Sequence, residues 1–367
     1  MAMSLTLSRY IGRTFVVRTG IVLGGILFLL YLGDSVEMLR QHASRNTISP
    51  MTALGMSLLK LPNLTEKAFP IAILVGAMWS FTTLNRQKEL VVARAAGVSA
   101  WQFLAPALLI SLLAGAFVIV IYNPLAATMF SRYSQLEAQL LRGQTSQIFV
   151  SETGLWLRQA DQGDQSVLRA LRIDDRGPNS LELEDVMIIT YEGTNTFASR
   201  IDADSARLEE PVWQLENAWI TPAVGPPSFE EHHTIPTSLT RAQIRESFAS
   251  PETLNVWQLP QFIRQAEEAG LSAARHKVHW YTILATPALF IAMILIAATF
   301  SLRTARLAGF AGLAAAAGAT GFALFVIGDV TASMGQTGVM PAALAAFAPT
   351  LLALLFGTTI LLHLEDG

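Results

Sequence analysis

The chain has no cysteine and little charge. Without cysteine there is no disulfide framework, and composition leaves the redox compartment open. Charged residues fill 14% of the 367 positions and hydrophobic ones 52%, whereas a soluble domain carries about 25% charge. The deficit is local: Asp, Glu, Lys and Arg are missing from 19–33, 68–85, 95–131, 278–302, 307–328 and 330–364. A helix crossing the hydrocarbon layer needs about 20 apolar residues, so runs of this kind exclude a single soluble core. A Walker A loop, a G-x-S-x-G elbow and an H-E-x-x-H helix are also missing, which argues against ATP hydrolysis and standard peptidase chemistry in this chain. A net charge of -3 lacks the basic footprint of a nucleic-acid binder.

What is present is a polytopic membrane protein with a polar insert. Six spans are expected near 14–36, 62–84, 100–123, 278–301, 307–330 and 341–363. Residues 125–275 hold 21 of the 28 acidic side chains and 12 of the 25 basic ones, so this stretch reads as a soluble domain between two membrane blocks, 1–124 and 276–367. Cytoplasmic flanks collect Lys and Arg. Arg9, Arg13 and Arg18 before span one, Arg86, Lys88 and Arg94 between spans two and three, and Arg303 and Arg306 between spans four and five all fall on one side. Both termini are then cytoplasmic and the insert external, with the first helix retained rather than cleaved. Arg18 must snorkel to the interface, and Asp34 must sit near the outer end of span one.

Inside the insert, 154–157, 166–173, 181–191, 197–208 and 212–220 are short, often alternating segments separated by turn residues such as Asp174 to Asn179. They predict an antiparallel sandwich or jelly roll. From Val256 to Ala274 the pattern becomes helical, with Leu259, Phe262, Ile263 and Ala266 on one face and Arg264, Glu267 and Glu268 outside.

The strongest candidate site is mechanical. In the loop from Leu84 to Ser99, a helical period of 100° puts Arg86, Glu89, Leu90, Ala93 and Gly97 on one face, with Arg94 beside them. Such a face can dock into a partner's groove; equally, it can be an interfacial helix with an Arg86–Glu89 pair. Ionisable residues near the bilayer usually face a cavity or a partner. Lys60 precedes Leu61-Pro62, where a proline can break the helix. Asp34 and Arg40 close span one, Arg132 and Glu137 follow span three, and Asp329 ends span five. Each can sit in the solvated headgroup layer, or the bases can grip a phosphorylated lipid headgroup. Gly24 and Gly25, with the small residues from Gly309 to Gly321, permit close helix contact and are candidates for a subunit seam and gate. His232-His233 are adjacent and His276 and His279 lie one turn apart; neither spacing makes a persuasive metal set.

Arg9-Tyr10-Ile11-Gly12-Arg13-Thr14, the block from Leu61-Pro62 through Phe69-Pro70 to Glu89-Leu90-Val91-Val92 and Gly97-Val98-Ser99, and Ala269-Gly270-Leu271 through Arg275 to Pro287 resemble the lipopolysaccharide export permeases LptF and LptG over nearly the whole chain. The opening and the 270–287 stretch are closer to the LptG side. The chain departs from the pattern at Asp34, where enterobacterial members carry a base, and at Ile283. The resemblance implies a six-helix inner-membrane permease with a jelly-roll-like periplasmic domain, itself without cofactor. It also implies a sister permease LptF, an LptB dimer that holds ATP and Mg, LptC, and lipopolysaccharide as cargo. Glu89 then stands at the family's acidic ATPase-docking position and Gly97 at its glycine. Arg40, Lys60, Arg132 and Glu137 become candidate lipid contacts, and Asp34 and Asp329 join Gly24 and Gly25 as gate residues. The competing reading is a membrane-anchored periplasmic enzyme or scaffold that works without an ATPase.

Overall fold

The computed structural model describes the chain except residues 1–4, 44–48, 90–91, 93–94, 96, 138–139, 141–146, 152–153, 162–163, 178–179, 193–195, 210, 238–249, 269–271, 305–309 and 367. The chain divides into two compact units, one made of residues 1–133 and 277–367, the other of residues 134–276.

The first unit is helical. Its elements are α1 (Leu5–Ala43), α2 (Pro50–Arg86), α3 (Ala100–Phe117), a π-helical turn (Val118–Tyr122), α4 (Asn123–Glu137), α6 (Ala274–Thr304), whose first turn belongs to the second unit, α7 (Phe310–Gln336) and α8 (Ala342–Asp366). With α3 and α4 running on through the π turn, six helices among the described residues are long and apolar enough to cross a membrane. Their starts follow ordinary capping chemistry. Ser49 Oγ accepts from Thr52 N at 3.2 Å ahead of Pro50, and Ser99 forms a reciprocal capping box with Gln102.

The helices outrun the expected spans, which corrects several placements. α1 has 39 residues, about 58 Å at 1.5 Å per residue and nearly twice the hydrocarbon thickness. Asp34 lies within α1, nine residues before its end, whereas the apolar span on this helix does end at Arg40. Pro62 does not break α2, which carries Pro62 and Pro70 in its interior; membrane helices tolerate proline because neighbouring groups re-satisfy the backbone. Arg132 and Glu137 belong to α4, continuous with span three, and α7 continues beyond Asp329 to Gln336. The bundle core is built mainly from α2, α3 and α6, around Leu74, Phe81, Leu104 and Phe290.

The second unit is the expected all-β insert. Seven antiparallel strands, β1 (Gln147–Ser151), β2 (Gly154–Asp161), β3 (Asp164–Gly177), β4 (Ser180–Glu192), β5 (Thr196–Glu209), β6 (Val212–Pro222) and β7 (Ser228–Pro236), form one sheet. Each strand pairs with its chain neighbour, so among the described residues the sheet is a meander without crossovers. The edge strands β1 and β7 are additions to the five segments read from the sequence.

A transverse crease crosses the sheet. Pairing skips Leu171, Asp185, Asp204, Asn217 and Glu231 at one level of successive strands. Asp185 and Asn217 have φ of 53° and 55°, and Asn217 Nδ2 donates to Asp204 Oδ2 at 2.9 Å. Asp and Asn adopt this left-handed backbone more readily than bulky residues. On β4, β5 and β6 the crease resets which side chains face inward: Leu183, Ala206 and Leu215 are buried on one side of it, Val186, Ala203 and Ala218 on the other. Both sets contribute to a single core that also holds Trp213 and Ile188.

The predicted 256–274 helix is shorter: α5 spans Leu259–Glu268. Of the four positions the periodicity named, Leu259, Ile263 and Ala266 are buried and Phe262 is half-buried, while Arg264, Glu267 and Glu268 are exposed. Phe262 stacks on His276 with centroids 4.5 Å apart.

Candidate functional site: a coupling turn and a polar layer

The segment between α2 and α3 is a broken helix, not a continuous one. Gln87 N donates to Thr83 O and Lys88 N to Asn85 O, which closes α2; Lys88 then takes a φ of 61°. Its carbonyl accepts from Val92 N at 3.0 Å, and Glu89, Val92 and Ala95 are helical. The single face expected from Arg86 to Gly97 is therefore corrected. Arg86 ends α2, and the left-handed Lys88 sets a new helical register beginning at Glu89. Gly97 has a φ of 83° with open space where a Cβ would stand. Glycine meets that requirement because the backbone conformation, not crowding, excludes other residues. Leu90, Ala93 and Arg94 lie outside the described residues.

Glu89 is half-buried and accepts a 3.2 Å hydrogen bond from Tyr10 Oη on α1. The segment that follows α2 is thereby tied to the first helix by residues 79 positions apart, which no local pattern could show. Tyr10 does stand in the opening motif that carries the family resemblance. Arg18 corrects the snorkelling expectation. It turns toward α2, donating to Trp79 O at 2.8 Å with its guanidinium 5.4 Å from the Trp79 ring centre. A carbonyl and an aromatic face satisfy the charge inside the bundle.

The other end of the α1–α2 hairpin carries a polar layer. Lys60 Nζ donates to Asp34 Oδ1 at 2.5 Å, and Ser57 Oγ donates to Asp34 Oδ2 at 2.6 Å. Ser35 Oγ donates to Ser57 Oγ at 3.3 Å, and Lys60 Nζ lies 5.7 Å from the Tyr133 ring centre. About two turns along α2, Asn123 Nδ2 at the end of the π turn donates to Glu66 Oε1 at 3.2 Å. Asn63, Thr65 and Asn123 are buried with them. Arg40 is exposed and bidentate to Glu37, with both bonds at 3.1 Å. Arg132 is exposed and Glu137 half-buried. Over this end of α1, α2 and α4 within the first unit, the acids are Asp34, Glu37 and Glu66 and the bases Arg40, Lys60, Lys67 and Arg132.

The candidate gate residues are not brought together. Gly24 and Gly25 face open space within this chain, and Asp329 is exposed on α7. Close helix crossing occurs elsewhere. An ideal Cβ on Gly115 would stand 2.5 Å from Pro287 Cα, where α3 meets α6 just before the π turn. His233 Nδ1 lies 2.7 Å from Glu230 Oε2 on β7, and among the described residues no group of three metal-ligating side chains converges.

The sequence profile of the family described as "Lipopolysaccharide export system permease LptF/LptG" matches residues 9–363. The chain belongs to the LptF/LptG family. It is similar to the lipopolysaccharide export system permease protein LptG of Haemophilus influenzae, 24% identical over 359 residues and 95% of each chain. It is also similar to LptG of Escherichia coli K12, 21% identical over 357 residues and 94% of each chain. With its six long apolar helices, this LptF/LptG permease is a multi-pass protein of the inner membrane. An inserted β domain and a broken helix between spans two and three are parts of one family member rather than separate curiosities.

Proposed function

We propose that the chain is the LptG-type transmembrane subunit of an ABC transporter that extracts lipopolysaccharide from the inner membrane and passes it to a periplasmic bridge. ATP hydrolysis takes place in a partner LptB dimer, so this subunit is mechanical rather than enzymatic. LptF is its sister permease, and LptC receives the lipid. Both termini and the 87–99 segment are then cytoplasmic and the sheet periplasmic, a reading supported by the basic flanks of the spans.

The observation that carries the reading is the restarted helix at Glu89. A half-buried acid opens it, Tyr10 holds that acid against α1, and Val92 and Ala95 face solvent. An acid at the first turn complements the positive end of a short helix and leaves its exposed face for a partner's groove. When the ATPases close, force applied to this segment reaches α1 through Tyr10 and α2 through the turn at Lys88, and the two permeases squeeze the lipid upward.

The test is co-purification of the ATPase with Glu89→Lys and Tyr10→Phe variants, together with lipopolysaccharide release from membranes. Glu89→Lys is expected to lose the ATPase and the release. Tyr10→Phe is expected to keep the ATPase while slowing release. Full assembly and undiminished release in Glu89→Lys would remove the docking assignment.

A further inference from the structure

Neighbouring helices of the first unit are interrupted at one level. α2 carries Pro70 and α6 carries Pro287 in their interiors, and the π turn Val118–Tyr122 separates α3 from α4. Each removes or displaces the regular bond to the residue four back, and prolines and π turns are common causes of bends in long helices. The three interruptions meet in space. Phe69, next to Pro70, has its ring centre 5.1 Å from that of Tyr122 and 6.1 Å from that of Phe290, and Gly115 packs on Pro287. α1 is helical without a proline, yet it has adjacent glycines, Gly24 and Gly25, at the same height. Thr19 crosses at Gly76, and Asp34 bonds Ser57 and Lys60, so α1 and α2 run antiparallel at nearly one residue per residue. Six residues on from Thr19 is Gly25, and six back from Gly76 is Pro70. Nothing within this chain crowds a Cβ at Gly24 or Gly25, so close packing does not call for them, whereas a softer backbone does follow from them.

Packing changes at the same level. On the side that ends at Lys88, here the inner half, α6 buries every residue from Ala292 to Thr299. On the other side, from Lys277 to Leu289, it buries only Val278, Ile283 and Ala285. α2 likewise buries Ala72 to Leu74 and Gly76 to Met78 on the inner side. A single kink inside a bundle is held by its unbroken neighbours. Interruptions in register leave no continuous rod among these helices to resist bending, and looser packing beyond them lowers the cost of movement.

We propose that this level is a hinge, at which the outer parts of α1, α2 and α4 tilt as one body on a rigid inner half while α6 bends beside them at Pro287. The bonds from Asn123 to Glu66 and from Lys60 to Asp34 hold the outer parts together. The inference goes beyond the transport reading and depends on neither its cargo nor its motor. A bend of about 10°, half of what separates a gentle curve from a kink, carries the first residue of α2, about 30 Å from Pro70, through about 5 Å. The outer half thereby changes its width while the inner core stays packed.

Single-particle electron microscopy reads this on the full-length chain, purified with the subunits that accompany it, in lipid nanodiscs. Particles are sorted by continuous variation, and the angle between the two halves of each helix is measured. The wild type is expected to spread over about 10°, with the bends at residues 24–25, 69–71, 118–122 and 286–288, α1, α2 and α4 changing together, and the inner halves superposing. Pro70→Ala with Pro287→Ala, which restores both N–H groups, is expected to cut the spread at least to half. Gly24→Ala with Gly25→Ala stiffens α1 alone and is expected to reduce it by a smaller fraction. One fixed angle in the wild type overturns the proposal, even if the proline variant fails to assemble. Helices that bend independently, or at other levels, overturn it as well, and so does an undiminished spread in either variant once folded.

Discussion

Spans two and four differ sharply from spans one and five, although all four are apolar enough to cross a membrane. In α2 and α6 61% of the most apolar stretch is buried, against 6% in α1 and 11% in α7. Hydrophobicity does not make that difference, because lipid tails solvate an apolar face as well as another helix does. The buried pair is joined by small and polar groups. Thr82 Oγ1 donates to Ser301 Oγ at 3.3 Å, Asn85 Nδ2 donates to Ser301 O at 3.0 Å, and Ser301 is fully buried. Along the outer helices, Phe28, Leu29, Phe322 and Phe325 are exposed. α1 nevertheless packs into the bundle: Ile11 and Phe15 are buried in its core, Thr19 crosses closely at Gly76, and Tyr10, Arg18 and Asp34 add polar ties.

The same chemical change should have opposite signs in the two regions. Gly115→Ala drives a Cβ into the Pro287 backbone and is expected to destabilise the chain by about 1–3 kcal/mol. Thermal unfolding in detergent, followed by fluorescence-detected size exclusion, measures it; an unchanged midpoint would mean that the α3–α6 crossing yields. Ser301→Ala removes the hydroxyl shared by Thr82 and the Met78 carbonyl while leaving the Asn85 bond to the backbone. Its expected loss is about 0.6 kcal/mol, with an upper bound near 1.7, the range of interhelical hydrogen bonds in membranes. A double-mutant cycle with Thr82→Val would read the pair itself. Gly24→Ala meets open space on a helix and is expected to leave the isolated chain unchanged or stabilise it by up to about 1 kcal/mol. A drop in its unfolding midpoint would show that the outer face of α1 is covered within this chain after all.

The crease in the sheet and the break at Lys88 show where local patterns stop being informative. Strands β4 and β5 were legible because Leu183, Ile201 and Leu208 alternate with charge, and a half-buried strand writes that period into its residues. β7 was not, since its Ser228 to Thr234 stretch is an exposed edge with little apolar content, as edge strands tend to be. A uniform 100° period placed Arg86 and Glu89 on one face, but a single left-handed residue between them resets the phase, and Lys88 gives no warning of it as a glycine would. Leu259, Ile263 and Ala266 on α5 carry no such interruption and were read correctly.

For the candidate site, the sequence alone determined that charges stand near the ends of apolar spans and that a mixed, small-residue segment follows span two. Both are statements about neighbours along the chain, which composition and spacing record directly. Only the tertiary structure decided that Lys60 takes Asp34, that Arg18 takes the Trp79 carbonyl and that Tyr10 reaches Glu89. Partners 26, 61 and 79 residues apart are chosen by how helices cross, and in a low-dielectric bundle each charge must find one of the few polar groups that the crossing brings within reach.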